Sequence, residues 1–209
     1  MNDYIAEREQ GCLARYENHL NDLTNKADVD IESLEQKVWH EFPLSSLFTI
    51  TPTSSSIDKI NLTKGNGDFP YISRTKRSNG VDSFVDEQQG YLHDKGNCIT
   101  IGLDTQTVFF QPYDFYTGQN IQILRNEYLN VHTANFILPL LRNLLMAFSW
   151  GSQGATLTRL RRSKIMLPIN EDNNPDWMYM EQYAHSIKNQ KAKDYLQQKR
   201  TSKHGNPPY

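Results

Sequence analysis

Cys98-Ile99-Thr100-Ile101-Gly102-Leu103, Val108-Phe109-Phe110-Gln111 and Ile121-Gln122-Ile123-Leu124 follow one another in close succession. β-branched and aromatic side chains dominate these runs, and Gly102, Pro112, Gly118 and Asn120 punctuate them. Short runs of that composition between turn residues read as strands, because branched and aromatic side chains pack well on a pleated surface. Working outward, Leu47–Thr51, Phe69–Ser73, Ser83–Val85 and Lys164–Ile169 read the same way. Thr53–Ser56 reads as a loop, and Lys64–Asp68 as a turn in which Gly and Asn tolerate positive φ. The close spacing predicts a compact, twisted, β-rich domain.

Helical periodicity flanks and interrupts this domain. Leu13, Tyr16, Leu20 and Leu23 line one face of a predicted helix over 3–24, Asn25–Asp30 is a polar break, and a short second helix is expected over Ile31–Trp39. Asn130–Phe148 is apolar on almost all sides and is expected to be buried, with Pro139 kinking it or marking its first turns. A loop is expected at Ser149–Ala155. Asp172–Asp176 starts a C-terminal helix, with Met180, Tyr183, Ala184 and Ile187 as its apolar stripe, and Thr201–Tyr209 is expected to be disordered. The expected fold class is α+β: a twisted β-rich domain with a buried helix, flanked by N- and C-terminal amphipathic helices. The segments are a helical 1–40, a central domain 41–170, a docking helix 171–200 and a tail 201–209. No internal repeat is visible.

Composition bounds the function. Apolar residues make up 37% of 209, below the globular norm of about 45–50%. The net charge of −2 and the pI near 6.3 lack the basic excess usual for DNA-binding domains, so only local charge can argue for nucleic acid. Cys12 and Cys98 make neither a metal spacing nor a disulfide framework, which points to a reduced cytoplasm. The polar, acidic Met1–Tyr4 does not begin a signal peptide. Phe136–Phe148, broken by Pro139, Arg142 and Asn143, reads as too short and too polar to span a bilayer, so no membrane partner is expected.

Six segments in order then carry a family resemblance: Trp39–Ile50, Phe69–Ser73 with Asn79-Gly80-Val81, Gly96–Gly102, Phe110–Ile121, Arg159–Ile169 and Pro175–Tyr183. The series resembles the target-recognition domain of type I restriction–modification specificity (S) subunits, and the related type II (BcgI-like) specificity modules. The resemblance covers roughly residues 39–185. Full type I specificity subunits hold two such domains separated by helices, and one is visible here, so the chain resembles a half subunit. The resemblance implies a non-catalytic protein that binds double-stranded DNA and directs a methyltransferase subunit, with a restriction subunit or a second copy of itself as further partners. S-adenosylmethionine would then sit on the methyltransferase, with no cofactor on this chain.

Residue chemistry supplies the candidate contacts. Tyr71, Ser73, Arg74, Lys76, Arg77 and Asn79 interleave cations with hydroxyl and amide groups; Arg and Lys hold phosphates or guanine edges, and Asn can pair with adenine. Tyr113, Tyr116, Thr117 and Gln119 surround Gly118, whose lack of a side chain permits a tight turn or a close approach. Arg159, Arg161, Arg162 and Lys164 are the densest basic cluster, in a stretch without Asp or Glu from Glu127 to Glu171. The bland alternatives are a solvated loop, an ordinary turn between strands and a charged strand edge. Phe109, Phe110, Phe115, Trp150 and Trp177 are read as core, and His40, His93, His132, His185 and His204 have no metal spacing.

Asn206-Pro207-Pro208-Tyr209 spells the catalytic loop of amino-methyltransferases, but it ends a polar tail with no Gly-rich cofactor loop upstream, and is read as coincidence. Glu35-Gln36-Lys37 matches half of a nuclease site without its preceding Asp. Two alternatives to sequence-specific recognition stay open at this stage: a decoy or regulator that binds methyltransferase subunits without reading DNA, and a free-standing DNA-modifying enzyme.

Overall fold

The computed structural model describes residues 31–63, 65, 67–148 and 156–203, together with Arg15 and Asn18. The chain divides into two compact units, Glu35–Glu181 and the pair of segments Met1–Leu34 and Gln182–Tyr209. The expected helix over 3–24 and the loop Ser149–Ala155 lie outside the described residues, apart from Arg15 and Asn18, which are helical.

The larger unit runs β1 (Trp39–Pro43), α1 (Leu44–Leu47), β2 (Thr49–Pro52), β3 (Phe69–Ile72), β4 (Val81–Val85), β5 (Cys98–Gly102), β6 (Thr107–Gln111), β7 (Tyr116–Thr117), β8 (Ile121–Arg125), α2 (Val131–Phe148), α3 (Leu157–Arg162), β9 (Lys164–Pro168) and the first turn of α4 (Trp177–Lys203). A four-stranded antiparallel sheet has the order β2-β8-β5-β6, a three-stranded sheet the order β4-β3-β7, and β1 pairs with β9 alone.

The four-stranded sheet is covered on both faces, which explains why its strands read as near-continuous apolar runs. Every residue of β5 is buried. Ile99, Ile101 and Leu124 face the main core with Ile137, Leu141 and Leu145 of α2. The alternate positions Cys98, Ile121 and Ile123 face a second cluster with Ile72 and Phe115. Period-two alternation therefore divides one strand between two cores. Burying each such side chain contributes roughly 1.5–3 kcal/mol.

Several expectations need correction. Ile31–Trp39 is not a helix: a turn spans Leu34–Gln36, and Trp39 already begins β1, whose partner β9 lies far away in sequence. Leu47 closes the one-turn helix α1, so β2 starts only at Thr49. α2 is buried along one side only, through Ala134, Ile137, Leu138, Leu141, Leu145 and Phe148, while Met146 is 62% exposed. By length and composition α2 could cross a membrane, yet that buried stripe belongs to the main core. Pro139 lies inside this helix rather than in its first turn. Arg159–Arg162 lie in α3, which Thr156 caps through a side chain that accepts from the Arg159 N–H at 3.3 Å. α4 begins at Trp177, after its cap Asp176, and extends to Lys203, so Thr201–Lys203 are helical. Ile187 is 42% exposed; beyond it the buried positions of α4 are Asn189 and Ala192.

Candidate nucleic-acid interface

Three loops converge where β3 and β7 end. Tyr71 and Ile72 pair in parallel with Tyr116 and Thr117, and the Gly118 N–H donates to the Ile72 carbonyl at 2.8 Å. The Ile57 N–H donates to the Thr117 carbonyl at 2.9 Å, which draws in the segment after β2. Asp94 anchors the start of that segment, accepting from the Ser54 hydroxyl at 2.5 Å and the Thr53 hydroxyl at 2.6 Å. Between the loops lies a cleft of about 250 Å³ lined by Ile57, Asp58, Lys59, Tyr71, Ser73, Arg74, Gly118 and Gln119. Gly118 is needed for the close approach: a Cβ there would lie 2.9 Å from the Tyr71 hydroxyl.

The β5–β6 hairpin tip reaches the cleft residue Arg74 through Asp104. Asp104 accepts hydrogen bonds from the Arg74 guanidinium and, at 2.9 Å, from Asn120 Nδ2. The Asn120 hydrogen bond, followed by the guanidinium's bond and charge, holds the Asp104 carboxyl below its usual range. Gln119 Nε2 donates to Asp58 Oδ1 at 2.8 Å, and Lys59 pairs with Asp82 at 2.7 Å.

Beside the cleft, Ser73–Gly80 is a loop whose backbone closes on itself. The Gly80 N–H donates to the Arg77 carbonyl and the Ser73 N–H to the Gly80 carbonyl, both at 2.9 Å. Ser78, Asn79 and Gly80 all have positive φ (49°, 54° and 82°), a run that Asn and Gly tolerate. Gln111 Nε2 clamps the Asn79 carbonyl at 2.9 Å. Arg74, Lys76, Arg77 and Asn79 are exposed on this loop.

The residues singled out from sequence therefore separate. Ser73, Arg74 and Gln119 line the cleft, with Lys76, Arg77 and Asn79 on the adjoining loop. Tyr71, Tyr116 and Thr117 are interior residues. The Tyr71 hydroxyl donates to the Ile57 carbonyl at 2.7 Å, and burial, then the Asp82 and Asp58 carboxylates, push its phenol up. The Tyr116 hydroxyl accepts from the Gln88 N–H at 3.0 Å, and that of Thr117 meets Thr53 and the Ser55 carbonyl. These three shape the wall behind the cleft instead of facing a ligand.

Tyr113 is 75% exposed but follows β6 at the strand end away from the hairpin tip. The basic cluster lies elsewhere again. Arg161 Nη2 donates to the Ile50 carbonyl of β2 at 2.8 Å, whereas the Ser73–Gly80 loop packs on β6. Those strands are opposite edges of the four-stranded sheet, so three strand spacings, roughly 14 Å, separate the two basic regions. Arg159 sits 4.9 Å over the Phe148 ring, Lys164 pairs with Glu41 at 3.1 Å, and Arg162 is exposed.

Sequence reasoning missed Asp58, Lys59 and Asp104 as members of the site, although Asp104 falls in the polar tip between two strands. Among the described residues no group of three or more His, Cys, Asp or Glu side chains is placed to hold a metal ion.

This fold, a β-rich unit with converging loops, is that of restriction–modification specificity subunits. The S subunit of a type I system from M. genitalium superposes with a TM-score of 0.53 at 16% identity, over 91% of this chain and 52% of that one. The HsdS subunit of Thermoanaerobacter tengcongensis gives 0.52 at 14% identity, over 91% and 45%. The chain belongs to the type I restriction modification DNA specificity domain family, whose model matches residues 36–197. It is 31% identical over 193 residues to the specificity subunit S.BcgI of a type II restriction enzyme from Heyndrickxia coagulans, covering 90% of this chain and 54% of that protein. The chain thus spans about half the length of the relatives it matches.

Proposed function

We propose that this chain reads a DNA sequence in the major groove and addresses a partner methyltransferase to it, without catalysing a reaction itself. The observation that carries this reading is the convergence of Lys59, Arg74 and Gln119 on one cleft, with Asn120 joined to Arg74 through Asp104 and the exposed Arg77 and Asn79 alongside. Amide and guanidinium groups of this kind are the side chains that distinguish base edges. Arg162 and Lys76, farther from the cleft, suit phosphates, which fix register without reading sequence.

In this reading the methyltransferase binds S-adenosylmethionine and flips the target base, and the complex, with or without a restriction subunit, works in the cytoplasm. Methylation mapping tests it, comparing cells that express a partner methyltransferase with and without this chain. A discrete methylated motif that appears only with the chain is the expected result. A split palindrome identifies two copies at work, since protein two-fold symmetry is mirrored in the site. If the proteins co-purify but no motif appears, the chain is a regulator of the methyltransferase and the reading fails.

A further inference from the structure

Each of the amide and guanidinium groups at the cleft rim is tied to a carboxylate from a different loop. Gln119 is held by Asp58, and Asn120 and Arg74 share Asp104. Such anions are unexpected on a surface meant for a polyanion, because they oppose phosphate approach. Their geometry offers a different use.

A carboxylate can only accept hydrogen bonds, so it dictates which end of a neighbouring amide faces it. Asn120 must turn Nδ2 toward Asp104, and Gln119 must turn Nε2 toward Asp58. Each amide then keeps one N–H and its carbonyl oxygen, the donor–acceptor pair that matches N7 and N6 of adenine. Arg74 commits one of its five N–H donors to Asp104 and retains the rest for guanine O6 and N7. The two amides are consecutive in sequence, and Asn120 is fixed in the left-handed region at φ 61°.

We propose that Arg74, Gln119 and Asn120 form a purine-reading set, and that Asp58 and Asp104 are positioning residues that set its donor–acceptor sense and disfavour unmatched DNA. This rests on the sequence-reading function above. In free protein the carboxylates hold the readers in their bound orientation, which lowers the ordering cost of recognition. On DNA, a mismatched base leaves the readers unsatisfied and the carboxylates facing phosphates, so discrimination exceeds what the readers alone supply.

The test uses the full chain with the methyltransferase it directs, on duplexes carrying the motif mapped for the unaltered protein and on duplexes with single base-pair changes. Asp104→Asn replaces an acceptor-only group by one that can present either end. The expected result is a loss of discrimination of roughly tenfold or more at one or two purine positions, with binding to unrelated DNA unchanged or tighter. Asn120→Ala should relax the same positions, and Arg74→Lys should relax an adjacent guanine by removing the two-pronged contact. Equal weakening on matched and mismatched DNA, or no change in discrimination with both Asp104→Asn and Asn120→Ala, overturns the proposal. Absence of any motif with the unaltered chain overturns the sequence-reading function itself, and the purine-reading set falls with it.

Discussion

Removing Asp176 should destabilise the recognition unit by about 2–3 kcal/mol, and the sum can be worked from its contacts. Its Oδ1 accepts from the Tyr179 N–H at 3.0 Å, capping α4, and cap removal typically costs ~1 kcal/mol. Its Oδ2 pairs with the Lys37 ammonium at 3.0 Å, where the two side chains are only 14% and 19% exposed. Stripping the partner from a fully buried charge costs about 3–5 kcal/mol. Lys37 keeps some water and lies 4.6 Å over the Tyr179 ring, so ~1–2 kcal/mol is the appropriate share. Asp176→Asn separates the contributions, because Asn caps as well as Asp but cannot pair with Lys37. It should cost about 1–2 kcal/mol, and Asp176→Ala about 1 kcal/mol more. Urea unfolding of the full chain, followed by tryptophan fluorescence at constant slope, reads both. An Asp176→Ala variant within about 0.5 kcal/mol of the unaltered protein would refute the ion-pair argument, and equal losses in the two variants would refute the cap.

The remaining predictions concern the cleft wall, the buried thiol and the distal cation. Gly118→Ala should lower the melting temperature by ~3–8 °C, because its Cβ displaces the Tyr71 hydroxyl from the buried Ile57 carbonyl, a loss of about 1–3 kcal/mol. DNA binding should weaken with it, as calorimetry paired with a binding titration would show. In a Cys12→Ala background, Cys98 should not react with a thiol reagent at pH 8 until the protein is unfolded, since burial pushes its thiol up to about 12 and Arg125 only partly opposes this. The folded value being raised, the stability linked to Cys98 is fully present below the unfolded thiol's pKa of about 8.5 and declines as pH rises from there toward 12. Arg162→Ala should weaken binding to matched and unmatched DNA alike and reduce the salt slope by about one unit, as titrations at several salt concentrations would measure.

What the sequence disclosed and withheld follows the range of the interactions involved. The hairpin of β5 and β6 was legible because its pairing is local: a four-residue tip, Leu103–Gln106, joins two runs of branched and aromatic side chains. The pairing of β1 with β9 was invisible because Trp39 and Pro168 meet across most of the chain, and the residues before Trp39 carry a helix-like composition that nothing local contradicts. The helix α3 was hidden for a related reason. Its 6 residues are too few to show a helical period, and it is the side chain of Thr156, which accepts from the Arg159 N–H, that marks the helix start.

The site shows the same division at finer grain. Two of the segments singled out by residue type, around Ser73-Arg74 and Gly118-Gln119, line one cleft. Which side chains within them meet solvent depends on strand register, and a one-residue step turns a side chain to the other face. Tyr71 and Tyr116 therefore fell inside, while Arg74 and Gln119 fell outside. Burial also gives the tyrosines a purpose that composition could not suggest. The Tyr71 hydroxyl braces the Ile57 carbonyl and blocks any side chain at Gly118, so the interior aromatic fixes the distance between the two loops that carry Asp58 and Gln119. The Asp58–Gln119 bond of 2.8 Å depends on that spacing. On the proposed reading, residues at the rim vary with the base to be read, whereas the wall that spaces them is constrained by packing density. A change of target is therefore expected to substitute Arg74, Gln119 or Asn120 and to spare Tyr71 and Gly118.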